Sequence, residues 1–116
     1  MITARNPMAP FWHVPQSDTD GETKFQLRGL TPLEIFDVHA GAETVGEQVK
    51  WTSRAIKTAI KCGMLDWHKF CDEQGVEVVF GKDVEANISR LGWSLTTEIF
   101  AAIMEASSLS EEQQKN

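Results

Sequence analysis

The chain has 116 residues, enough for one domain with a single modest hydrophobic core. Hydrophobic residues make up 41% and charged residues 24% of the sequence, an ordinary globular balance that excludes wholesale disorder. The formal net charge of -6 disfavours nucleic acids and anionic membrane surfaces as partners, because both are bound by cationic surfaces.

The N-terminal third predicts an arm followed by a β-hairpin. Residues 1–10 are small, polar and interrupted by proline, which is typical of a flexible arm. Residues 11–14 read as a short strand that Pro15 ends, and residues 17–22 have the Asp, Ser and Gly content of a turn. Residues 25–29 alternate apolar and polar side chains, which predicts the second strand.

A helix start follows directly. Thr31, Pro32 and Glu34 occupy the N-cap, N1 and N3 positions of a capping box, in which the Thr and Glu side chains each accept a free backbone N–H. We expect this helix to end at Gly41, since glycine is favoured just beyond a helix C-terminus.

The longest predicted helix spans residues 42–62. This prediction depends on residues that recur every three or four positions and so share one helix face. They are Val45, Val49, Thr52, Ile56, Ala59 and Ile60. Residues 65–71 fit either a helical turn or a strand. Residues 72–75 are typical of a turn, and residues 76–80 have the strongest strand pattern of the chain, so a second hairpin is favoured here.

Two helices should complete the domain. The first covers residues 82–91, and the second begins with Ser94 as its N-cap. The apolar stripe of the second helix consists of Leu95, Ile99, Ala102, Ile103 and Ala106. The predicted fold is therefore α+β, a helix-dominated small domain over residues 11–107 with one or two short antiparallel β-hairpins, followed by a polar C-terminal tail over residues 108–116.

No residue pattern indicates catalysis. The three histidines and two cysteines lie outside any nucleophile or phosphate-binding motif, so we predict a protein that is not an enzyme, with no catalytic residues and no cofactor. Cys62, His68 and Cys71 are spaced C-x5-H-x2-C without a fourth ligand nearby, which favours reduced thiols over zinc. A zinc- or thiol-based regulator built on these residues remains an alternative.

The sequence predicts a protein-binding surface instead. Four tryptophans are spread along the chain, and Phe100 and Met104 lie off the stripe of the last helix, whose apolar residues exceed what one small core can bury. Core packing is the competing explanation for at least two of the tryptophans. The residues predicted to contact a protein partner are Trp51, Trp93, Leu95, Ile99, Phe100, Ile103 and Met104.

Three segments resemble the tail assembly chaperones of long-tailed bacteriophages. Residues 25–34, Phe-Gln-Leu-Arg-Gly-Leu-Thr-Pro-Leu-Glu, are similar to the strand, Arg-Gly-Leu-Thr and helix start that open those proteins. Residues 67–76 contain the Trp, Phe, Asp and Gly of their central hairpin. Residues 91–103, with Leu-Ser-Glu-Glu at 109–112 and Lys-Asn at 115–116, resemble their last helix and acidic tail.

The resemblance implies a function as well as a fold. Proteins of this family coat the tape-measure protein before the tail tube closes around it, tend to self-associate and are absent from the finished virion. We therefore expect this chain to act in the cytoplasm of the bacterial host, with the tape-measure protein as partner and the tail tube protein as a further candidate. The alternative within phage assembly is a head–tail adaptor, or another small morphogenesis protein, that stays in the virion.

Overall fold

The computed structural model describes residues 9–46 and 48–114, without the side chains of residues 44, 45, 49 and 108–114. The elements in chain order are β1 (Phe11–His13), β2 (Lys24–Leu27), α1 (Pro32–Ala40), β3 (Ala42–Val45), β4 (Gln48–Trp51), α2 (Ser53–Gly63), β5 (Met64–His68) and α3 (Val84–Gln114). The described residues thus form three helices and two small antiparallel sheets, which confirms the predicted α+β class.

The first hairpin is formed as predicted. β1 and β2 pair antiparallel, with Phe11 opposite Leu27. In the connecting turn the Thr23 N–H donates to Asp18 Oδ2 at 2.8 Å. β5 adds to the other edge of β2, with Phe25 opposite Trp67, and completes a three-stranded sheet in the order β1-β2-β5. The strand alternative for residues 65–71 is therefore correct over most of that segment.

The predicted strand over residues 76–80 is reduced to one bridged residue, Glu77, whereas the turn before it is correct. Asp72 Oδ1 accepts the N–H groups of Gln74 and Val76 at 2.9 and 3.0 Å. Beyond the turn a single bridge, between Cys71 and Glu77, replaces a ladder. Two backbone hydrogen bonds flank this bridge, from the Asp72 N–H to Val76 O at 2.9 Å and from the Val78 N–H to Phe70 O at 2.7 Å. The indole Nε1 of Trp67 also donates to Val78 O at 2.7 Å, so backbone and side-chain contacts together hold this segment against the domain.

The predicted helix over residues 42–62 is wrong in its first half. β3 and β4 form an antiparallel hairpin there, whose turn contains Gly46 at φ 64. α2 begins only at Ser53, because Thr52 is its N-cap and accepts the Ala55 N–H. A glycine with positive φ is natural in a two-residue hairpin turn and costly inside a helix.

α1 confirms the capping box. Thr31 Oγ1 accepts the Glu34 N–H, and Glu34 Oε1 accepts the Thr31 N–H at 2.9 Å. Gly41 ends the helix as predicted, but with φ −88 rather than in the left-handed region. The reason for a glycine is space: a Cβ atom on Gly41 would lie 2.9 Å from Ala55 N, in the backbone of α2.

α2 lies against both other helices and brings them into one hydrophobic core. Its inward residues Ala55, Ile56, Ala59 and Ile60 are buried. Further buried residues come from each side of α2; they are Phe25, Leu27, Leu30, Val38, Met64, Trp67, Leu91, Ile99, Phe100 and Ile103. The core therefore joins the three-stranded sheet, α1, α2 and α3.

α3 consists of two helical segments, residues 84–91 and 93–114, separated by Gly92 at φ 77 and ψ 173. The two predicted helices are confirmed in type, but the break lies at Gly92, and Ser94 is inside the second segment rather than its N-cap. α3 continues to Gln114, into the predicted polar tail. Residues 1–8 of the predicted arm lie outside the described residues.

Candidate protein-binding cleft

A cleft of about 610 Å³ lies between the first half of α2 and the break in α3. Most of its exposed lining is apolar, and Ile56, Ile88 and Trp93 supply its large apolar side chains. The complete lining is Ser53, Arg54, Ile56, Lys57, Glu85, Ile88, Ser89, Gly92, Trp93 and Thr96. Such a concave, mainly apolar surface with few polar groups is what a bound apolar side chain or helix face requires.

The break at Gly92 shapes this cleft. Its backbone, at φ 77 and ψ 173, lies in a region that is essentially restricted to glycine. A Cβ atom built there would meet nothing within 4 Å, so conformation rather than space requires the glycine. Directly after the break, the Trp93 side chain is 74% exposed. A large indole left in water beside an apolar cleft is typical of a protein-binding site.

Thr96 lines the same cleft and has an unusual hydroxyl group. The residue is 3% exposed, yet its Oγ1 has no hydrogen-bond partner. By contrast, Ser107 Oγ donates to the carbonyl four residues earlier, Ile103 O, at 2.8 Å. The corresponding carbonyl for Thr96 belongs to Gly92, which is not helical. The break therefore removes the acceptor that a threonine in a continuous helix uses.

Two of the three charged side chains that line the cleft pair with each other, and the third has no ion pair with a described residue. Lys57 Nζ forms an ion pair with Glu85 Oε1 across the cleft. Arg54 is exposed and has no ion pair with any other described residue. The first turn of α2 contains no acidic residue, whereas the first turns of α1 and α3 contain Glu34 and Glu85. The positive charge of Arg54 thus lies at a helix N-terminus that is itself positive.

The residues predicted to bind a partner fall into three groups. Trp93 is exposed and lines the cleft. Trp51, Leu95 and Met104 are half-buried and pack against the core. The remaining residues are core residues, namely Ile99, Ile103 and Phe100. Of the predicted set, Trp93 is therefore the residue that is largely exposed to solvent.

Phe100 was expected away from the buried stripe, and this expectation is wrong. Its side chain is 8% exposed, and its ring packs edge-on against Trp51 with 5.6 Å between ring centroids. Trp51 also lies against the His39 ring at 5.2 Å. The β3–β4 hairpin brings Trp51 to this position, so Phe100 is covered by an element that the sequence had assigned to a helix.

Sequence reasoning missed most of the cleft. Arg54, Ile56, Ile88 and Thr96 meet only because α2 packs against both segments of α3. One signal was present in the sequence, since a glycine followed by tryptophan inside an otherwise helical pattern indicates a break with a large side chain beside it.

Exposed apolar side chains also occur away from the cleft. They are Trp12, Val14, Leu33, Phe36, Leu65, Val76 and Val79. Leu33 and Phe36 share the outer face of α1, whereas the others lie on β1, directly after β1, on β5, and in the segment that follows β5. They lie outside the lining of the cleft, where Trp93 is the large exposed apolar side chain.

The alternative metal cluster is not assembled in the described part of the chain. Cys62 is half-buried, whereas His68 and Cys71 are exposed. No group of three or more His, Cys, Asp or Glu side chains among the described residues is placed to hold a metal ion. Burial, together with the nearby Glu34 carboxylate, raises the pKa of the Cys62 thiol, so its environment disfavours the thiolate that zinc requires.

Comparison with known proteins gives no relative: no family model, no curated protein and no solved structure matches this chain. Within the described residues, every helix is too short or too polar to cross a membrane. The interpretation of the cleft therefore depends on its own residues and on the sequence resemblance.

Proposed function

We propose that the protein is a tail assembly chaperone of a long-tailed bacteriophage and binds a helical segment of the tape-measure protein in the cleft between α2 and α3. The observation that carries the proposal is the exposed Trp93 at the edge of a mainly apolar cleft. A long helical client exposes apolar stripes that aggregate in water, and a groove of this kind covers them reversibly.

The size of the apolar contribution suits a reversible complex. A partner that covers about 150 Å² of the Trp93 side chain gains roughly 4 kcal/mol at about 25 cal/mol per Å². Loss of rotational and translational freedom offsets much of that gain, so one anchor gives moderate affinity. A chaperone that must be displaced by the tail tube requires this moderate affinity.

The sequence supports the same proposal at three places. The resemblance covers residues 25–34, residues 67–76, and residues 91–103 with the tail motifs at 109–112 and 115–116; it includes the capping box of α1 and the turn before Gly75. The proposal includes action in the host cytoplasm, self-association and the absence of enzymatic activity. The tail tube protein is a further candidate partner.

Co-expression with the tape-measure protein tests the proposal. We expect the tape-measure protein to be soluble with the wild-type chain and to aggregate with Trp93→Ala. Trp12→Ala is the matched control, because Trp12 is 50% exposed on β1 and lies outside the cleft. A tape-measure protein that is equally soluble alone, or with Trp93→Ala, contradicts the proposal.

Analysis of purified virions separates the proposal from its alternative. A chaperone is displaced before the tail is complete, so we expect mass spectrometry of virions to find the tail tube and tape-measure proteins without this chain. Stoichiometric recovery of the chain from virions would instead favour a head–tail adaptor or another retained component.

A further inference from the structure

We infer that the cleft recognises a carboxylate: the client helix carries an acidic side chain beside its apolar anchor, and Arg54, Thr96 and two helix N-termini bind it. The inference rests on the proposed function and specifies the chemistry of the client segment. It predicts which stretches of the client the protein covers.

Two helix N-termini meet at the cleft. Ser53 and Arg54, in the first turn of α2, line one side. Trp93 and Thr96, in the first turn after the break in α3, line the other. Unpaired N–H groups and the helix dipole make each N-terminus favourable for an anion. The two segments have 11 and 22 residues, long enough for a full terminal effect.

The charges at the cleft leave one cation without a described partner. The ionisable side chains of the lining are Arg54, Lys57 and Glu85. Lys57 and Glu85 pair with each other, so Arg54 provides the uncompensated charge. Because Arg54 lies at the positive end of α2, its charge raises the local free energy until an anion approaches. The cleft is thus cationic on a protein whose net charge is -6.

Thr96 provides an independent indication of a ligand. Its hydroxyl is buried and unpartnered, which is unfavourable in the free protein. Threonine in a helix adopts either of two χ1 rotamers, and a rotation of about 120° between them moves the hydroxyl to a different staggered position on Cβ. A carboxylate held by Arg54 gives the hydroxyl the acceptor that the Gly92 carbonyl does not provide.

Acidic residues next to an apolar anchor therefore fit this cleft better than basic ones. The acidic charge of the remaining surface further increases selectivity for the position of the acidic side chain, because it repels acidic segments that cannot reach Arg54. Together these effects fix the position of the client helix as well as its affinity.

Designed peptides test the inference directly. The probes are three amphipathic helical peptides of about 20 residues, identical in their leucine stripe and carrying Glu, Gln or Lys at one position beside it. Binding is measured by fluorescence anisotropy of labelled peptide. The protein variants are Arg54→Glu and Thr96→Val, and Arg90→Glu is the control, because Arg90 is an exposed arginine on α3 outside the cleft.

For the wild type we expect the Glu peptide to bind about five to ten times more tightly than the Lys peptide, as a partly exposed charge pair allows. Arg54→Glu should reverse this preference, and Thr96→Val should weaken the Glu peptide about threefold without changing the Lys peptide. Arg90→Glu should preserve the wild-type order. Circular dichroism of each variant confirms that it is folded.

Equal affinities for the three peptides, or a Glu preference that persists undiminished in Arg54→Glu or Thr96→Val, overturn the inference. The solubility of the tape-measure protein is measured separately. If that protein is kept soluble through Trp93 while the peptides show no charge preference, the chaperone function stands and the inference falls. If the charge preference is found without any effect on the tape-measure protein, the proposed function falls, and with it the assignment of the client; the carboxylate site in the cleft stands.

Discussion

Arg28 holds Glu34 in a two-point ion pair. Nη1 donates to Oε1 at 2.9 Å and Nη2 donates to Oε2 at 2.8 Å. Glu34 also accepts the Thr31 N–H, so a single carboxylate connects the segment after β2 to the start of α1. Hydrogen bonds from Arg28 are the main cause that lowers the pKa of Glu34 to about 2.

This pair predicts how stability depends on pH. Because the folded pKa of Glu34 lies below its ordinary value, the pair is fully stabilising above about pH 4.5 and the contribution is lost as the pH falls towards 2. We expect Glu34→Gln to lower the free energy of unfolding by about 1–2 kcal/mol at pH 7, after allowance for solvent screening. Urea unfolding at pH 7 and pH 3 measures both effects.

The matched control for Glu34 lies on the same helix. Asp37 is exposed on α1 and has no ion pair with other described residues, so Asp37→Asn should change the free energy of unfolding little at either pH. If Glu34→Gln loses no stability, or loses the same amount at pH 3 as at pH 7, the ion pair does not stabilise the fold.

Gly41 predicts a steric effect between α1 and α2. A Cβ atom at this position would lie 2.9 Å from the Ala55 N and 3.0 Å from the Ala55 Cα, and backbone atoms cannot move aside as a side chain can. We expect Gly41→Ala to cost about 2–3 kcal/mol in the free energy of unfolding. Gly81→Ala is the control, since its Cβ would meet Asn87 Oδ1 at an ordinary 3.6 Å.

We expect the substitution Thr96→Val to stabilise the protein. The substitution replaces a buried hydroxyl that has no partner by a methyl group of similar size. We expect the free energy of unfolding to increase by about 1 kcal/mol, measured by urea denaturation. The same variant should bind the Glu peptide less well, so stability and binding should change in opposite directions.

Ser107→Ala, in the same helix, should lower the stability that Thr96→Val raises. Ser107 Oγ accepts the Leu30 N–H at 2.8 Å, and both groups are buried. Removing the hydroxyl leaves that N–H unsatisfied, and we expect a loss of about 1–3 kcal/mol in the free energy of unfolding. Similar effects of the two substitutions would mean that the Thr96 hydroxyl has a partner after all.

The sequence predicted those parts of the fold that depend on local rules. The capping box at Thr31 and Glu34, the β1–β2 hairpin and the turn after Asp72 each follow from side chains that bond nearby backbone groups. Neighbours along the chain decide these features, so distant packing changes them little. The helix-dominated α+β class follows from the sum of such elements.

The errors concern two segments whose residue periodicity fits more than one secondary structure. Val45 and Val49 fit a helical stripe, yet Gly46 and the N-cap at Thr52 allow a hairpin there instead. Residues 76–80 alternate like a strand, but their pairing is limited to the bridge between Cys71 and Glu77, and Trp67 also holds the segment through Val78. Periodicity describes a preference of the segment and does not identify its partner.

The candidate site was likewise predicted only in part. The stripe of the last helix contains Ile99 and Ile103, which the structure places in the core, and a stripe alone cannot tell a core face from a binding face. Trp93 was predicted among the contact residues and is exposed. Its surroundings, including Arg54 and Thr96, come from a helix that lies 30 or more residues earlier and from the break in α3.

Because α3 is interrupted at Gly92 alone, the angle between its two segments depends on a single residue. The direction of the second segment, and with it the position of Trp93 at the cleft, is set by the φ and ψ angles of Gly92. The backbone conformation of this one residue therefore determines the width of the cleft, while every residue of α2 stays the same.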